Sequence, residues 1–467
     1  MDSKNGNLIR GLTFYDSTSI VICSIIGTGV FLKTSVMAQL VDSPMLVMAA
    51  WIAAGALSMA GAITYAELSA MMPKAGGTYQ YLRAAYGDMP AFLYGWMYIT
   101  AGAAGAAALA SAFATFLGAA FPLDTIWAES VYHVFGKDMI WRFGIRQVVA
   151  VFTIIACALL NSSFVSINGR IQSFFTTIKV SGTILIVIGV FALSKDASWS
   201  NLSLSSGSTE WCGISAFGAA MLVALWAYNG WNFLPMVAGE VKNPEKNMAR
   251  SIILGMIIIV VVYLAANLSY FYALPFSEIV NSNSTDYPNA LPVATKAVGT
   301  FLGPSGIKII TALFIISTFG TLHSEMLSIP RIAYAMAKDG LFFKVFGHLG
   351  KRSRVPVVAV AFKATLACIL ACSGTFDQLT TLLIFALWIF FGLTASSIFV
   401  LRRKMPDTPR PYKTFGYPVV PFVFVCVALW LVINTIMTSP LESSIGLGLI
   451  ALGVPLYYKF KAGKAGA

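Results

Sequence analysis

Long apolar runs alternate with short polar segments along almost the whole chain. A helix needs about 20 apolar residues to cross a bilayer, and we interpret twelve runs of the 467-residue sequence as membrane-spanning helices. The third and the eighth are longer than a bilayer is thick, which predicts tilt or extension into water. The predicted spans are Phe14–Met37, Leu46–Met71, Met89–Phe121, Gln147–Ser162, Ile171–Leu193, Ala216–Val237, Ile252–Leu274, Ile307–Met336, Val357–Cys372, Leu379–Leu401, Val419–Met437 and Ile445–Tyr458.

The composition supports an all-α, polytopic membrane protein. Hydrophobic residues make up 58% of the chain and charged residues only 11%, against about 25% charged residues in soluble proteins. The net charge of +12 belongs to the loops. With twelve spans, the loops rich in Lys and Arg all fall on one side, called the basic face below, which predicts cytoplasmic termini in a plasma (inner) membrane. Because the basic residues follow the topology of a membrane protein, we expect the lipid bilayer as partner and exclude nucleic acid as a ligand.

Two of the predicted spans contain glycine clusters where a helix should be continuous. The first span contains IIGTG (Ile25–Gly29), and the sixth contains WAYNGWN (Trp226–Asn232). Glycine inside a helix costs about 1 kcal/mol relative to alanine. Taken alone, either cluster favours close helix packing through small residues. Their matching positions in two five-helix halves instead favour paired helix breaks, which mark a transporter binding site near the membrane midplane.

Unwound helix segments expose backbone amides and carbonyls that can bind a ligand. The free amides and positive dipole end at the start of a half-helix suit a carboxylate. The free carbonyls at the end of the other half-helix suit an ammonium group. The two breaks together therefore predict a site for the backbone of an α-amino acid. A second unusual feature is Lys179, which lies within an apolar run although an ammonium at bilayer depth costs roughly 2.5–3.5 kcal/mol.

Several motifs occur in a familiar order along the chain. They are IIGTGVF (Ile25–Phe31), YAELSAMMPKAGGTYQYL (Tyr65–Leu82), TTIKVSG (Thr176–Gly182), LWAYNGWN (Leu225–Asn232), GEVKNPEKNMARSI (Gly239–Ile252) and RPYKTFGYP (Arg410–Pro418). On these motifs the chain resembles the L-type amino acid transporter family of the amino acid–polyamine–organocation superfamily, and within it bacterial neutral amino acid exchangers. The resemblance extends from about Gly11 to Lys459.

The resemblance implies a 5+5 inverted repeat of the LeuT type, with discontinuous helices 1 and 6 and alternating access. The implied division is a cytoplasmic leader at 1–13, a first repeat at 14–194 and a second repeat at 213–402. A basic connector and helices 11 and 12 would follow at 403–467.

The resemblance also implies roles for single residues. The amides of Thr28 and Gly29, with the Thr28 hydroxyl, would bind the substrate carboxylate. The carbonyls of Ile25, Trp226 and Asn229 would bind its amine, and the Trp226 side chain would close the pocket toward the outside. The implied substrate-binding residues are Ile25, Gly27, Thr28, Gly29, Trp226 and Asn229.

Lys179 matches a lysine that stands where sodium-coupled relatives bind their ion. It would connect the first and eighth helices through the Cys23 carbonyl and a hydroxyl among Ser317, Thr318 and Thr321. The resemblance therefore implies a sodium-independent exchanger of neutral L-amino acids. The alternative is a proton-coupled amino acid symporter that uses Lys179 as proton acceptor, and the sequence does not separate the two.

The uncharged Asn229 favours neutral substrates, but it also suits a helix-break residue that caps backbone groups.

The resemblance also bears on partners. Eukaryotic members of the family carry a cysteine between spans three and four, which links them to a glycoprotein heavy chain. This loop has no cysteine here, so we expect no disulfide-linked heavy chain, as in a bacterial protein. The sequence contains no HExxH or GxSxG motif, and we expect neither an enzyme nor a cofactor or metal. A sensor that binds amino acids without moving them is a further alternative.

Other polar residues in or near the spans have open roles. Glu67 and Glu240 are expected to pair with basic neighbours at an interface or gate, and Glu325 to reach the interface or pair with a lysine. His323 is interpreted as a packed residue rather than a proton relay. Asn267 and Tyr270 either reach the pocket or bond across helices.

Overall fold

A computed structural model describes residues 8–465, except for residues 120, 124, 135–136, 196, 203–212, 285, 288–289, 374–375 and 439. The first helices are α1 (Phe14–Ile25), α2 (Gly29–Val41), α3 (Pro44–Met71), α4 (Thr78–Tyr86), α5 (Asp88–Gly118), α6 (Ile145–Asn161), α7 (Val165–Leu193), α8 (Gly213–Ala227) and α9 (Phe233–Met236). They are followed by α10 (Pro244–Ala273), α11 (Phe276–Val280), α12 (Val293–Leu302), α13 (Pro304–Ser328), α14 (Pro330–Lys338), α15 (Val357–Ser373), α16 (Phe376–Lys404), α17 (Val419–Thr438), α18 (Pro440–Ala451) and α19 (Gly453–Ala465).

The helices account for the twelve predicted crossings. Within the described residues, nine helical segments are long and apolar enough to cross a membrane. Three shorter apolar helices, α6, α8 and α15, occupy the fourth, sixth and ninth predicted spans. A further short apolar helix, α12, lies in the polar segment before the eighth span and packs against α7 and α13. The prediction of a polytopic helical membrane protein is confirmed.

Several boundaries differ from those predicted. The fifth and seventh spans begin earlier than their apolar runs, at Val165 and Pro244, because helices continue into polar residues beyond the bilayer. The eighth is divided at Ile329, directly before Pro330, because a proline cannot donate the helical hydrogen bond. The division of the chain into a leader, two repeats and a connector remains a prediction, and residues 1–7 and 203–212 lie outside the described residues.

A β-hairpin departs from the all-α prediction. Strands β1 (Ile126–Val134) and β2 (Lys137–Gly144) pair antiparallel between α5 and α6, with Ser130 opposite Trp141. The Trp141 indole donates a hydrogen bond to the carbonyl of Cys372 in α15 (2.7 Å). The hairpin thereby attaches to the C-terminal end of the ninth span. The strands of 9 and 8 residues are too short and too polar to be recognised in a search for apolar runs of bilayer length.

The first and sixth spans are both interrupted, as predicted. The first consists of α1 and α2, separated by residues 26–28, and the sixth consists of α8 and α9, separated by residues 228–232. Helix α1 starts at a capping box, in which Thr13 and Asp16 bond each other's backbone amide, the T-x-x-D variant of a common start signal. Helix α1 packs against α7, α10 and α13, and α2 packs against α8. Both breaks therefore lie inside the bundle.

Candidate functional site

A cavity of about 90 Å³ lies where the two interruptions meet, large enough for a solute of a few heavy atoms. The unwound segments of spans one and six form one side of it. Side chains from α5, α13 and α16 form the rest. Its lining includes all six predicted substrate-binding residues, Ile25, Gly27, Thr28, Gly29, Trp226 and Asn229, together with Ser24, Tyr98, Phe233, Thr321, Glu325 and Leu387, among others.

The two interruptions touch each other. The Ser24 hydroxyl donates to the carbonyl of Gly230 (3.0 Å). A Cβ atom at Gly29 would lie 2.6 Å from the Cβ of Ala227, and one at Gly230 would lie 2.9 Å from the carbonyl carbon of Ser24. Gly230 also has a φ of +136°, which side chains rarely allow. Glycine is therefore required both for the break and for the close contact. The two interpretations of the glycine clusters, close helix packing and paired helix breaks, apply together.

The groups predicted to bind a carboxylate lie at the start of a half-helix. Helix α2 begins at Gly29, with Thr28 as its preceding residue, and both line the cavity. The first amides of any helix have no acceptor within that helix. The cavity therefore borders on backbone donors and on the positive end of the α2 dipole.

Two of the three carbonyls predicted to bind an amine, those of Ile25 and Trp226, already accept hydrogen bonds. The Ile25 carbonyl accepts from the Tyr263 hydroxyl (2.8 Å) and from the Gly27 amide (2.7 Å). The Trp226 carbonyl accepts from the Asn229 amide (3.2 Å). Tyr263, which sequence reasoning missed, also donates to the Ala227 carbonyl (3.1 Å). One tyrosine of α10 thus binds the last residues of both α1 and α8.

The Trp226 side chain is half-buried at the edge of the cavity. The Lys33 ammonium lies 4.8 Å from the centre of its ring, within the range of a cation–π interaction. Lys33 belongs to α2 and Trp226 to α8, so the contact joins the two interrupted spans. The gate role of Trp226 remains a prediction.

Lys179 is completely buried between the first and eighth spans. Its ammonium donates to the carbonyls of Cys23 (2.9 Å) and Ile26 (2.8 Å) and to the Thr321 hydroxyl (3.0 Å). A lysine ammonium has three donors, and these three acceptors use them all. Among the other predicted hydroxyls, Ser317 donates to the Ile26 carbonyl (2.9 Å), whereas the partners of the Thr318 hydroxyl among the described residues are carbonyls of its own helix.

Gly320 makes room for this lysine. A Cβ atom at this position of α13 would lie 2.9 Å from Cε of Lys179 and 3.0 Å from the sulfur of Cys23. Sequence reasoning missed Gly320, because a single glycine in an apolar span is most simply a packing residue.

A family model described as amino acid permease matches residues 12–455. The chain belongs to the amino acid permeases. The serine/threonine exchanger SteT of Bacillus subtilis (strain 168) is 30% identical over 470 residues, with 100% of both chains covered. The cystine/glutamate transporter of Homo sapiens is 30% identical over 455 residues, which cover 97% of this chain and 85% of the relative. The b(0,+)-type amino acid transporter 1 of Homo sapiens is 27% identical over 460 residues, covering 98% and 89%. The resemblance to L-type amino acid transporters is confirmed.

Two carboxylates of the permease, Glu67 and Glu240, pair with arginines. Glu67 accepts from Arg402 through both oxygens (2.9 and 2.7 Å). Glu240 accepts from Arg331 (3.1 and 3.2 Å), and both side chains of this second pair are completely buried. The backbone carbonyl of Glu240 also accepts from the Leu12 amide (3.0 Å). The segment before α1 is thereby attached to the end of the sixth span.

Among the other polar residues whose roles were open, His323 and Asn267 bond across helices. His323 is completely buried between Gln172 (2.6 Å) and Asn168 (3.1 Å), as expected for a packed residue. Asn267 accepts a hydrogen bond from Thr34 in α2 and is absent from the cavity lining. Tyr270 is buried, and its hydroxyl has no partner among the described residues.

Proposed function

We propose that this permease is a sodium-independent transporter that exchanges small neutral L-amino acids by alternating access. The observation that carries the proposal is the bonding of Lys179. Its buried ammonium joins the break of the first span to the eighth span through the Cys23 and Ile26 carbonyls and the Thr321 hydroxyl. A cation that belongs to the chain holds these two spans together without a bound ion.

The exchange mechanism follows from the same bonding. With a fixed cation, we expect no ion gradient to drive uptake and no bound ion to assist the return of the carrier without substrate. Return without substrate is then slow, and each outward step requires an inward one. All three ammonium donors of Lys179 have acceptors, which favours a permanently charged lysine over one that gives up a proton in each cycle.

The cavity supports a small neutral substrate. The amides at Thr28 and Gly29 suit a carboxylate, and the Trp226 carbonyl, which accepts one hydrogen bond, keeps a lone pair for an amine. Asn229 adds no charge, and the volume of about 90 Å³ favours small side chains. SteT, similar over the whole chain, is named a serine/threonine exchanger, which agrees with this substrate class.

We further infer that the permease acts as a transporter and not as an enzyme, because its relatives are named as transporters or exchangers. It would act without a disulfide-linked heavy chain, since the segment between the third and fourth spans contains no cysteine. Its place would be the plasma membrane, with both termini on the cytoplasmic side, as the distribution of Lys and Arg predicts.

The test is uptake of labelled alanine, serine, leucine and arginine into proteoliposomes, with and without sodium and with and without internal amino acid. We expect uptake of alanine and serine that needs internal amino acid and does not need sodium. Uptake into empty vesicles driven by an imposed pH gradient would contradict exchange and favour the proton symporter. Binding without flux of any label would favour a sensor.

Variants test the role of Lys179 in the same assay. We expect Lys179→Ala to lose nearly all flux while the protein remains folded, because the Cys23 and Ile26 carbonyls lose the ammonium group that bonds to both of them. The matched control is Lys308→Ala, because Lys308 is an exposed lysine of the same eighth span that Lys179 contacts. Wild-type flux in Lys179→Ala would make the lysine merely structural.

A further inference from the structure

A large apolar groove lies between α3, α8 and α17 of the permease, and it shares no lining residue with the cavity between the two interruptions. Its volume is about 860 Å³, within the range of about 300–1,000 Å³ that is usual for small-molecule sites. Val419 and Val423 of its lining are exposed, so the groove opens to the outside of the helix bundle. Every lining residue is hydrophobic, and the lining includes Leu57, Ile63, Phe217, Met221, Val423 and Trp430.

The groove is about as long as one membrane leaflet is deep. Its lining on α3 extends from Ala53 to Ile63, and its lining on α17 extends from Val419 to Trp430. At a rise of about 1.5 Å per residue these stretches measure about 15–17 Å. Half of the hydrocarbon core of a bilayer is about 15 Å thick. An acyl chain of a lipid from one leaflet therefore matches the groove in length and in polarity.

The two ends of the groove differ. At one end α8 and α17 are joined, because the Ser215 hydroxyl donates to the Asn434 side chain (3.4 Å). At the other end lies the connector between α16 and α17, residues 405–418. Its Thr414 hydroxyl donates to the carbonyl of Ile63 (3.3 Å), and α17 starts directly after it at Val419. The groove therefore meets the basic face of the permease at this end.

The connector offers a cation at this end of the groove. Arg410 is already paired with Glu67 (3.5 Å), whereas Lys413 is exposed and pairs with no carboxylate among the described residues. Lys413 directly precedes Thr414, and Phe415, which follows Thr414, is 78% exposed. Basic residues next to exposed aromatic side chains are typical of segments that lie at the level of the lipid headgroups.

We propose that the groove is a binding site for one anionic phospholipid, with an acyl chain along α3, α8 and α17 and the headgroup phosphate beside Lys413. The hydrophobic lining disfavours any polar solute, and the charge of Lys413 favours an anionic headgroup over a zwitterionic one. The lipid packs against α8, whose last residue, Ala227, lies at the break of the sixth span. The proposal does not depend on which substrate the permease exchanges, because the groove and the cavity are separate.

Photolabelling of the wild type tests where the lipid binds. The detergent-purified permease is mixed with phosphatidylglycerol that carries a diazirine in one acyl chain, irradiated and digested. We expect the labelled peptides to come mainly from α3, α8 and α17, and the label to decline more with excess phosphatidylglycerol than with excess phosphatidylcholine. A label spread evenly over all exposed helices would overturn the proposal.

Two variants test the headgroup and the acyl chain separately. We expect Lys413→Gln to weaken phosphatidylglycerol binding about fivefold, the effect of one lysine near an anionic surface, and to leave phosphatidylcholine binding unchanged. Ala56 is an exposed lining residue, so Ala56→Phe places a ring in the groove and should abolish binding of both lipids there. Native mass spectrometry of the detergent-purified protein measures the bound lipid.

Each variant has a matched control. Lys351→Gln changes an exposed lysine outside the connector, and Ala361→Phe changes an exposed alanine of α15 outside the groove. Both should bind lipid as the wild type does. Equal phosphatidylglycerol binding in Lys413→Gln and Lys351→Gln, or wild-type binding in Ala56→Phe, would overturn the proposal. So would a lipid-free dimer that is lost in Ala56→Phe, because it would assign the groove to a second copy of the chain.

Discussion

The hydroxyl of Tyr263 lies 2.8 Å from the carbonyl oxygen of Ile25, the last residue of α1. The same hydroxyl lies 3.1 Å from the carbonyl of Ala227, the last residue of α8. One proton is thus shared between the ends of two half-helices that belong to different spans. The seventh span, through this side chain, adds a second connection between the two breaks beside the Ser24–Gly230 hydrogen bond.

We expect Tyr263→Phe to reduce exchange by about tenfold, since the loss of a buried hydrogen bond costs roughly 1–3 kcal/mol and loosens both helix ends. Tyr270→Phe is the matched control. Tyr270 lies on the same helix and is buried, but its hydroxyl has no partner among the described residues. Initial rates of exchange over a range of substrate concentrations provide the measurement. Similar rates in the two variants would exclude a special role for Tyr263.

Two threonines one helical turn apart test the contact between Lys179 and the eighth span. Thr321 accepts from the lysine, whereas the partners of the Thr318 hydroxyl among the described residues are carbonyls of its own helix. We expect Thr321→Ala to lower the exchange rate about tenfold, the effect of roughly 1.4 kcal/mol. Thr318→Ala should remain within about twofold of wild type. A larger loss of exchange in Thr318→Ala than in Thr321→Ala would show that Thr318 carries the functional hydroxyl.

Gly320 provides a steric test of the same contact. In Gly320→Ala the new methyl group would lie 2.9 Å from Cε of Lys179, and the lysine would have to leave its acceptors. We expect exchange to fall at least tenfold, although alanine favours a helix by about 1 kcal/mol. Gly299→Ala on α12 is the control, because no atom lies within 4 Å of the added Cβ. Wild-type exchange in Gly320→Ala would mean that Lys179 tolerates displacement.

The buried Glu240–Arg331 pair is expected to stabilise the fold. Glu240→Gln leaves the Arg331 charge uncompensated, and breaking a buried pair in this way costs about 3–5 kcal/mol. Glu129→Gln breaks the exposed Glu129–Arg142 pair, where a cost of about 0–1 kcal/mol is usual. Thermal unfolding of both variants in detergent compares the costs. A melting temperature of Glu240→Gln equal to that of Glu129→Gln would contradict this view.

The fold was predictable where one physical signal dominates. Apolar runs of bilayer length identify the helices, and paired glycines identify the breaks at residues 26–28 and 228–232. Lys179 stands out because an ammonium in an apolar run demands acceptors. Its acceptors on the first span follow only in part from the sequence, because Ile26 differs in no visible way from its neighbours.

Other features depend on distances that a sequence does not contain. Tyr263 is one of several tyrosines in apolar spans, and only the fold brings its hydroxyl to both helix ends. The side chains of Glu325 and Lys363 pair at 3.4 Å although the two residues are 38 positions apart, and their pairing requires the packing of α13 against α15. The hairpin at Ile126–Gly144 was missed because a span-length window averages out the alternation of short strands.

The attachment of Lys179 to the backbone has an energetic consequence. A dissociable sodium ion would carry charge across the membrane in every turnover and couple uptake to voltage. In the proposed exchange a tethered ammonium returns with its helix, so a complete cycle with two zwitterionic amino acids would move no net charge. Accumulation by such a carrier is then set by the concentrations of the two amino acids alone, and the electrical potential across the membrane contributes nothing to it.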